Sequence, residues 1–232
     1  MTLGSFSQSA GTFIAGPCTI TVNGNLTLAG GTFTLGTADT TVNTGSGGYS
    51  QSGGIFNETV DMSGLNPHEL QLTGGATWTK TGGTFRDYNN THGGGVAPAY
   101  RVASEADLQA VKNNLAYSYV QTANITLTTD FKSYIIGDST TKFTGTYDGG
   151  GYTIANLTIN TTTSQDKQYV GLFGYISAAT LENIGLTGAT INTTYTAGSH
   201  TVGILVGYDL ISTVTNCYST GSVSATATTN NL

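Results

Sequence analysis

Along the first third of the chain, bulky apolar residues alternate with Ser and Thr in short bursts, and each burst ends at a glycine followed two positions later by Phe. Four stretches share this form: FSQSAGTF from Phe6, LTLAGGTF from Leu26, YSQSGGIF from Tyr49 and WTKTGGTF from Trp78, with starts 20, 23 and 29 residues apart. Alternation of this kind predicts short strands with one buried face. The glycine predicts a tight turn that needs a positive φ or close backbone approach, and the Phe an inward residue of the next strand. Self-similarity at this spacing predicts the stacked coils of a solenoid, with Phe13, Phe33, Phe56 and Phe85 in one interior stack. Between the copies, TITVNGNLTL (Thr19 to Leu28) and TTVN (Thr40 to Asn43) also alternate, placing Ile20, Val22, Leu26 and Leu28 on one face and Thr and Asn on the other. A compact β-sandwich would alternate too and is the second fold the pattern allows.

The period breaks at NNTHGGGVAPAYRVASEADLQAVKNNL, where three glycines and Pro98 precede a helical pattern. Ser104 is placed to cap it, with Asp107 at the acidic position of a capping box, and Leu108, Val111 and Leu115 recur at helical spacing. A helix this short is expected to lay its apolar stripe over the side or end of the strand stack, shielding edges that would otherwise recruit other chains.

Strand patterns then return in FTGTYDGGGYTIANLTI (Phe143 to Ile159), YVGLFGYISAATLENIGLTGATI (Tyr169 to Ile191) and TVGILVGYDLISTVTNCYSTGSV (Thr201 to Val223). The second and third of these are offset by 32 residues, glycines alternate with Leu172, Phe173, Ile204, Leu205 and Val206, and Asn183 and Asn216 fall in matching places. Glycines so placed suit strands whose backbones approach closely. Each Asn either stacks at an inward turn, bonding the coils above and below, or sits at an exposed turn.

These segments, with the DLQAVKNNLAYSYVQTANITLTTDF that leads into them, resemble the GLUG-motif region of large bacterial and archaeal surface proteins, over about residues 103 to 224. The chain departs from that pattern where a doubled glycine is reduced to Gly203 and Ile204 and where the turn reads DGGG. The resemblance implies a right-handed parallel β-helix in a secreted, adhesin-like polypeptide of the filamentous haemagglutinin type. The expected organisation is an all-β solenoid with one short helix inserted mid-chain: aromatic and GGTF coils over residues 1–95, a connecting and capping segment over 96–120, and GLUG-like coils over 121–232, continuous with the first set. Roughly ten coils of ~20 to 25 residues are expected, about 50 Å in length.

Composition narrows the partners. Charged residues make up 9% of the chain and 33 glycines stand against 3 prolines, which fits neither a helical bundle nor a charged disordered tail. Seven Lys plus Arg against 13 Asp plus Glu give a net charge of -6, so nucleic acid is not an expected partner. No apolar run approaches the ~20 residues of a membrane span, and the start MTLGSFSQSAG lacks the basic head and apolar core of a signal peptide. Cys18 and Cys217, 199 positions apart, read as two separate thiols.

Parallel β-helices also house polysaccharide lyases and hydrolases, which need two carboxylates about 5 to 10 Å apart. Asp130, Asp138 and Asp148 are the only acids dense enough to try, and each borders a turn where Asp is favoured for local hydrogen bonding. Only Arg86 and Arg101 could meet an acidic sugar, and they lie far from that group in sequence. His68, His92 and His200 lack ligand spacing and neither cysteine forms a CxxC, so no zinc site is expected; calcium at Asp148 is left open, although DGGG completes no calcium loop. The glycine-rich stretches lack the lysine and hydroxyl of a phosphate loop. No catalytic, cofactor-binding or metal-binding residue is therefore expected. Sequons at Asn25, Asn57, Asn89, Asn124, Asn156, Asn160 and Asn192 are compatible with export and glycosylation.

Three functions are compatible with these residues. The first is an extracellular structural or adhesive module at the cell surface, whose partners are flanking solenoid coils, other copies of the chain joined head to tail into a fibre, or cell-surface glycans. The second is a carbohydrate-binding or carbohydrate-cleaving β-helix, and the third is ice binding through outward Thr arrays. The irregular coil lengths argue against the third. Both ends read as open solenoid faces, which motivates the head-to-tail expectation.

Overall fold

A computed structural model of the chain describes every residue except 17–18, 37–39, 44–46, 63–66, 74–75, 87–98, 162–167, 196–199 and 228–232. Cys18, His92 and the sequon at Asn89 lie outside the described residues. The chain divides into two compact units, Met1–Arg101 and Val102–Leu232. Each is built of parallel strands stacked coil on coil, a parallel β-helix.

In the first unit every coil lays one strand on each of three faces. Thr2–Leu3, Ile20–Val22, Thr40–Asn43 and Leu70–Thr73 form the first face, and Phe6–Gln8, Leu26–Leu28, Gly48–Gln51 and Thr77–Lys80 the second. Thr12–Ala15, Thr32–Leu35, Ile55–Asn57 and Thr84–Arg86 form the third. The register sets Phe13 beside Phe33, Phe33 beside Phe56 and Phe56 beside Phe85, as the repeat spacing predicts. Their rings stack inside the coil at centroid distances of 4.8, 5.0 and 4.9 Å. A second column, Phe6, Leu26, Tyr49 and Trp78, lies beside them in register. Tyr49 meets Phe56 edge to face at 5.3 Å, so two aromatic stacks interlock.

The turn glycines Gly11, Gly31, Gly54 and Gly83 all have φ between +68° and +75°. A methyl group at Gly54 would also lie 2.4 Å from the Gly31 carbonyl oxygen of the coil before it, so the repeat demands glycine twice over, for conformation and for space. After the third coil the chain makes the one antiparallel pairing among the described residues, Thr59–Val60 against Pro67–His68, while Thr59 and Val60 pair in parallel with Ala99 and Tyr100.

The second unit opens with the predicted helix, Glu105–Ala110, extended by a 3-10 turn over Val111–Asn113. The Ser104 hydroxyl accepts the Asp107 amide at 3.2 Å, and the Asp107 carboxylate accepts the Ala103 amide at 3.0 Å, a capping box whose return bond reaches one residue further back. Leu108 and Val111 are fully buried. The Glu105 carboxylate accepts the amides of Thr128 and Thr129, tying the helix to the loop after the first coil. Partial burial pushes that carboxyl up, and its hydrogen bonds to Thr128 and Thr129 outweigh it, leaving the group below its ordinary value.

Coils in this unit are longer. Ser118–Gln121, Thr146–Asp148, Thr180–Glu182 and Thr213–Thr215 share one face, with Ser118, Thr146, Thr180 and Thr213 in register at intervals of 28, 34 and 33 residues. Tyr169 pairs with Thr201, the offset read from sequence. The ~20 to 25 residues expected per coil thus hold only near the start of the chain. The described residues form four coils in each unit, not roughly ten in all, because the second unit's strands Gly185–Tyr195 and Tyr218–Ala227 run on past a turn. Phe143, Tyr147, Phe173, Leu181, Leu186 and Ile191 fill its interior with no exposed surface. Close packing of glycines recurs here: a methyl at Gly174 would lie 2.5 Å from the Gly137 oxygen, and one at Gly207 2.7 Å from the Gly174 oxygen.

Candidate functional site

The polar side chains most deeply placed in the coils are three glutamines that sequence alternation did not single out. Gln51 is fully buried, and its Nε2 donates to the carbonyls of Gly53 and Gly54 in its own turn, at 3.2 and 3.1 Å, and to Thr84 in the next coil at 2.9 Å. Its Oε1 accepts the Tyr49 hydroxyl at 3.0 Å. Gln8 repeats the device, reaching the Gly11 and Thr32 carbonyls, both at 2.9 Å. Gln121, in the second unit, donates to Ala123 at 2.8 Å and to Thr153 of the next coil at 3.1 Å, while the Tyr147 hydroxyl approaches its Oε1 at 3.4 Å. One amide therefore closes a turn and staples it to the following coil. The sequence signal is an aromatic, any residue, then Gln, as in Phe6 to Gln8, Tyr49 to Gln51 and Tyr119 to Gln121. Burial pushes the Tyr49 phenol far above its ordinary range, with the charge of Glu58 adding to it, so it stays a donor.

The three acids considered for catalysis are each taken up by turns. Asp138 Oδ1 accepts the amides of Thr140 and Thr141, both at 2.8 Å. Asp148 is 5% exposed, and its Oδ1 accepts the Gly150 amide at 2.8 Å and Asn183 Nδ2 at 2.9 Å. Asn216 Nδ2 donates in turn to Asn183 Oδ1 at 3.3 Å, which makes a column of Asp148, Asn183 and Asn216 across three coils. Both asparagines hold positive φ, +55° and +53°, a conformation that Asn tolerates better than most residues. The expected stacking of Asn183 and Asn216 is present, and Asp148 heads it. Asp130 heads a second column: Asn160 Nδ2 donates to Asp130 Oδ2 at 3.1 Å, and Asn192 Nδ2 to Asn160 Oδ1 at 3.1 Å.

These columns also decide what several sequons can do. The Nδ2 atoms of Asn160 and Asn192 are ladder donors, and that of Asn57, 3% exposed, donates to Thr34 Oγ1 at 3.1 Å; a glycan on any of the three would replace that bond. Asn25 and Asn124 accept the amides of Gly48 and Thr153. Asn156 is exposed with φ +62°.

Arg86 ends the strand Thr84–Arg86, Arg101 lies in Ala99–Val102, and both are half-buried. His68 pairs in register with Thr59. His200 Nε2 lies 3.2 Å from Thr193 Oγ1, and burial holds its imidazole below the ordinary value, hence neutral. Burial pushes the Cys217 thiol up; the charges of Glu182 and Asp148 add to that, and bonds to Ile184 and Thr215 oppose it, so the thiol stays protonated and weakly reactive. Among the described residues no group of three or more His, Cys, Asp or Glu side chains comes together as a metal-binding set. Nor is any described helix long and apolar enough to cross a membrane.

No protein-family model and no solved structure matches the chain, so the resemblance to the GLUG-motif region rests on the quoted residues alone. The chain is similar to halomucin of Haloquadratum walsbyi, 31% identical over 185 residues, which is 72% of this chain. The matched stretch is 2% of halomucin, so the chain corresponds to a small part of a far longer polypeptide.

Proposed function

We propose that this chain is a non-enzymatic, extracellular structural module of a cell surface, whose role is length and stiffness. The observation that carries this reading is the use of its polar side chains. The acids and amides that could form a reactive cleft are spent on holding one coil to the next, in the Asp148, Asn183 and Asn216 column above all. Similarity to a stretch of halomucin, a large surface protein, supports the same reading.

The module is extended by further coils. Val214 and Val223 are 42% and 45% exposed, although their register partners Leu181 and Ile191 are fully buried. Ile211 and Tyr218 on the same coil are 83% and 53% exposed. An added coil, supplied by a second copy or by a longer polypeptide, would cover these apolar positions and pair the open strand edge.

Two measurements test the proposal. Incubation with plant, bacterial and algal polysaccharides should release no reducing ends and no unsaturated products; turnover that disappears in Asp148→Asn would sink the non-enzymatic reading. Electron microscopy at high concentration should show linear assemblies that shorten in Val214→Lys, whereas uniform monomers with protected amides over Tyr218–Ala227 would rule out growth through that coil.

A further inference from the structure

The aromatic residues of the second unit fall into two sets. Tyr119 and Tyr147 are core residues whose hydroxyls bond to the Asn114 carbonyl and to Gln121. Tyr169, Tyr175 and Tyr208 instead stand on the outside, with ring centroids 5.0, 5.3 and 4.7 Å apart pair by pair. Tyr208 is 39% exposed. Among the described residues none of these three hydroxyls hydrogen-bonds to protein.

Their placement follows from coil register. Tyr175 and Tyr208 are direct partners on neighbouring coils. In the coil before, Phe143 bridges Ile176, which sets Lys142 beside Tyr175, and the Lys142 ammonium lies 5.2 Å from the Tyr175 ring centroid. Lys142, Tyr175 and Tyr208 thus form one outward column over three consecutive coils, with Tyr169 at its flank. The neighbouring carboxylates are committed elsewhere: Asp209 Oδ1 accepts the Ser212 amide, and Asp138 Oδ1 accepts those of Thr140 and Thr141.

Burial in the core does not explain three touching rings with free hydroxyls and an ammonium at their edge. A protein partner needs roughly 800 Å² of surface on each side, far more than a ribbon one side chain wide provides. A linear polymer lying along the coil axis needs no more than a ribbon. We propose that this column binds an extended polysaccharide bearing carboxylates. The apolar faces of its sugar rings lie against Tyr208 and Tyr175, the free phenols meet its hydroxyls, and the Lys142 ammonium meets a carboxylate. The site goes beyond the structural role and stands or falls without it.

Affinity electrophoresis of the full chain through gels containing polygalacturonate, or dextran as a neutral polymer, tests it. Polygalacturonate should retard the chain more strongly than dextran. Tyr208→Ala should weaken that retardation about tenfold, the loss of one stacked aromatic contact. Tyr208→Phe, which keeps the ring, should weaken it far less, and Lys142→Gln should abolish the preference for the acidic polymer. Thermal melts of the variants keep folding separate from binding, since these side chains are at the surface. Absence of retardation in either gel would overturn the proposal, as would retardation that survives Tyr175→Ala combined with Tyr208→Ala. A preference for polygalacturonate that persists in Lys142→Gln would overturn the assignment of the carboxylate to that lysine.

Discussion

In the first unit the coils are held in register from within, by rings; in the second they are held largely at the turns, by amides. The parallel rings of Phe33, Phe56 and Phe85 fix the axial spacing of the short coils, because a ring can slide little when both faces are covered. Longer coils enclose a wider interior, which Phe143, Tyr147 and Phe173 fill in tilted and edge-on contacts that leave the register looser. There the Asp148 and Asp130 columns take over, at turns where each amide meets one partner above and one below. The Gln staple is common to both, since every coil must close its turn whatever fills its interior.

The comparison breaks first, if at all, at the ring stack. Phe33→Ala should destabilise the first unit by about 3 to 5 kcal/mol, because it empties a site covered on both faces. Phe13→Ala, at a half-buried position, should cost less than half of that. Urea unfolding followed by the fluorescence of Trp78, the chain's single tryptophan, reads this unit alone; equal losses at the two positions would mean that stacking does not set the register.

A smaller loss is expected at the staple. Gln51→Leu strands the Tyr49 hydroxyl and the Thr84 carbonyl, and should cost about 2 to 3 kcal/mol in the same assay. Gln8→Leu should cost about half as much, since Leu28 already occupies the matching place in the second coil. If the two losses are equal, the tyrosine hydroxyl contributes nothing to the device.

In the second unit, Asn183→Ala removes two ladder bonds and puts a Cβ-bearing residue that tolerates positive φ poorly into the left-handed region. The expected loss is about 1.5 to 2 kcal/mol, read as faster hydrogen exchange at the Asn183 and Gly149 amides. Asn183→Gly should recover part of it by relieving the backbone alone. Full recovery would show that the column of amides does not hold the coils.

The smallest effect has the opposite sign. Gln8 Oε1 is buried without a donor, and the residue two before it is Phe6, where the better-satisfied Gln51 has Tyr49. Phe6→Tyr should therefore stabilise the first unit by about 0.5 to 1 kcal/mol. No change in the urea midpoint would mean that Phe6 is too exposed for its hydroxyl to turn inward.

Much of this comparison could be read from the chain itself. The spacing of Phe13, Phe33, Phe56 and Phe85 and the glycine two before each are strong constraints, because a stacked ring and a positive-φ turn each accept few residues. Asn183 and Asn216 were legible as a matched pair for the same reason. Gln51 was not, since a polar residue at a strand end carries no period-two sign of which way it points. Its partner in the next coil lies 33 positions away, at a distance set by turns of unequal length. Asp148 read as an ordinary turn aspartate, and its place at the head of a column emerges only once Thr146 and Thr180 are seen in register. The outward tyrosines were hidden among 13, because aromatic residues in a repeat are read as core until their coils are closed.

Each amide column also has a direction. Asp148 and Asp130 accept but cannot donate, and every later asparagine gives its N–H to the coil before it while leaving its oxygen for the coil after. A polypeptide is made and exported from its N-terminus, so a newly emerged coil meets an acceptor already waiting and never a donor still to come. Such a column behaves as a one-way zipper: growth follows the order of synthesis, and a later coil that arrives out of turn finds no aspartate on which to start.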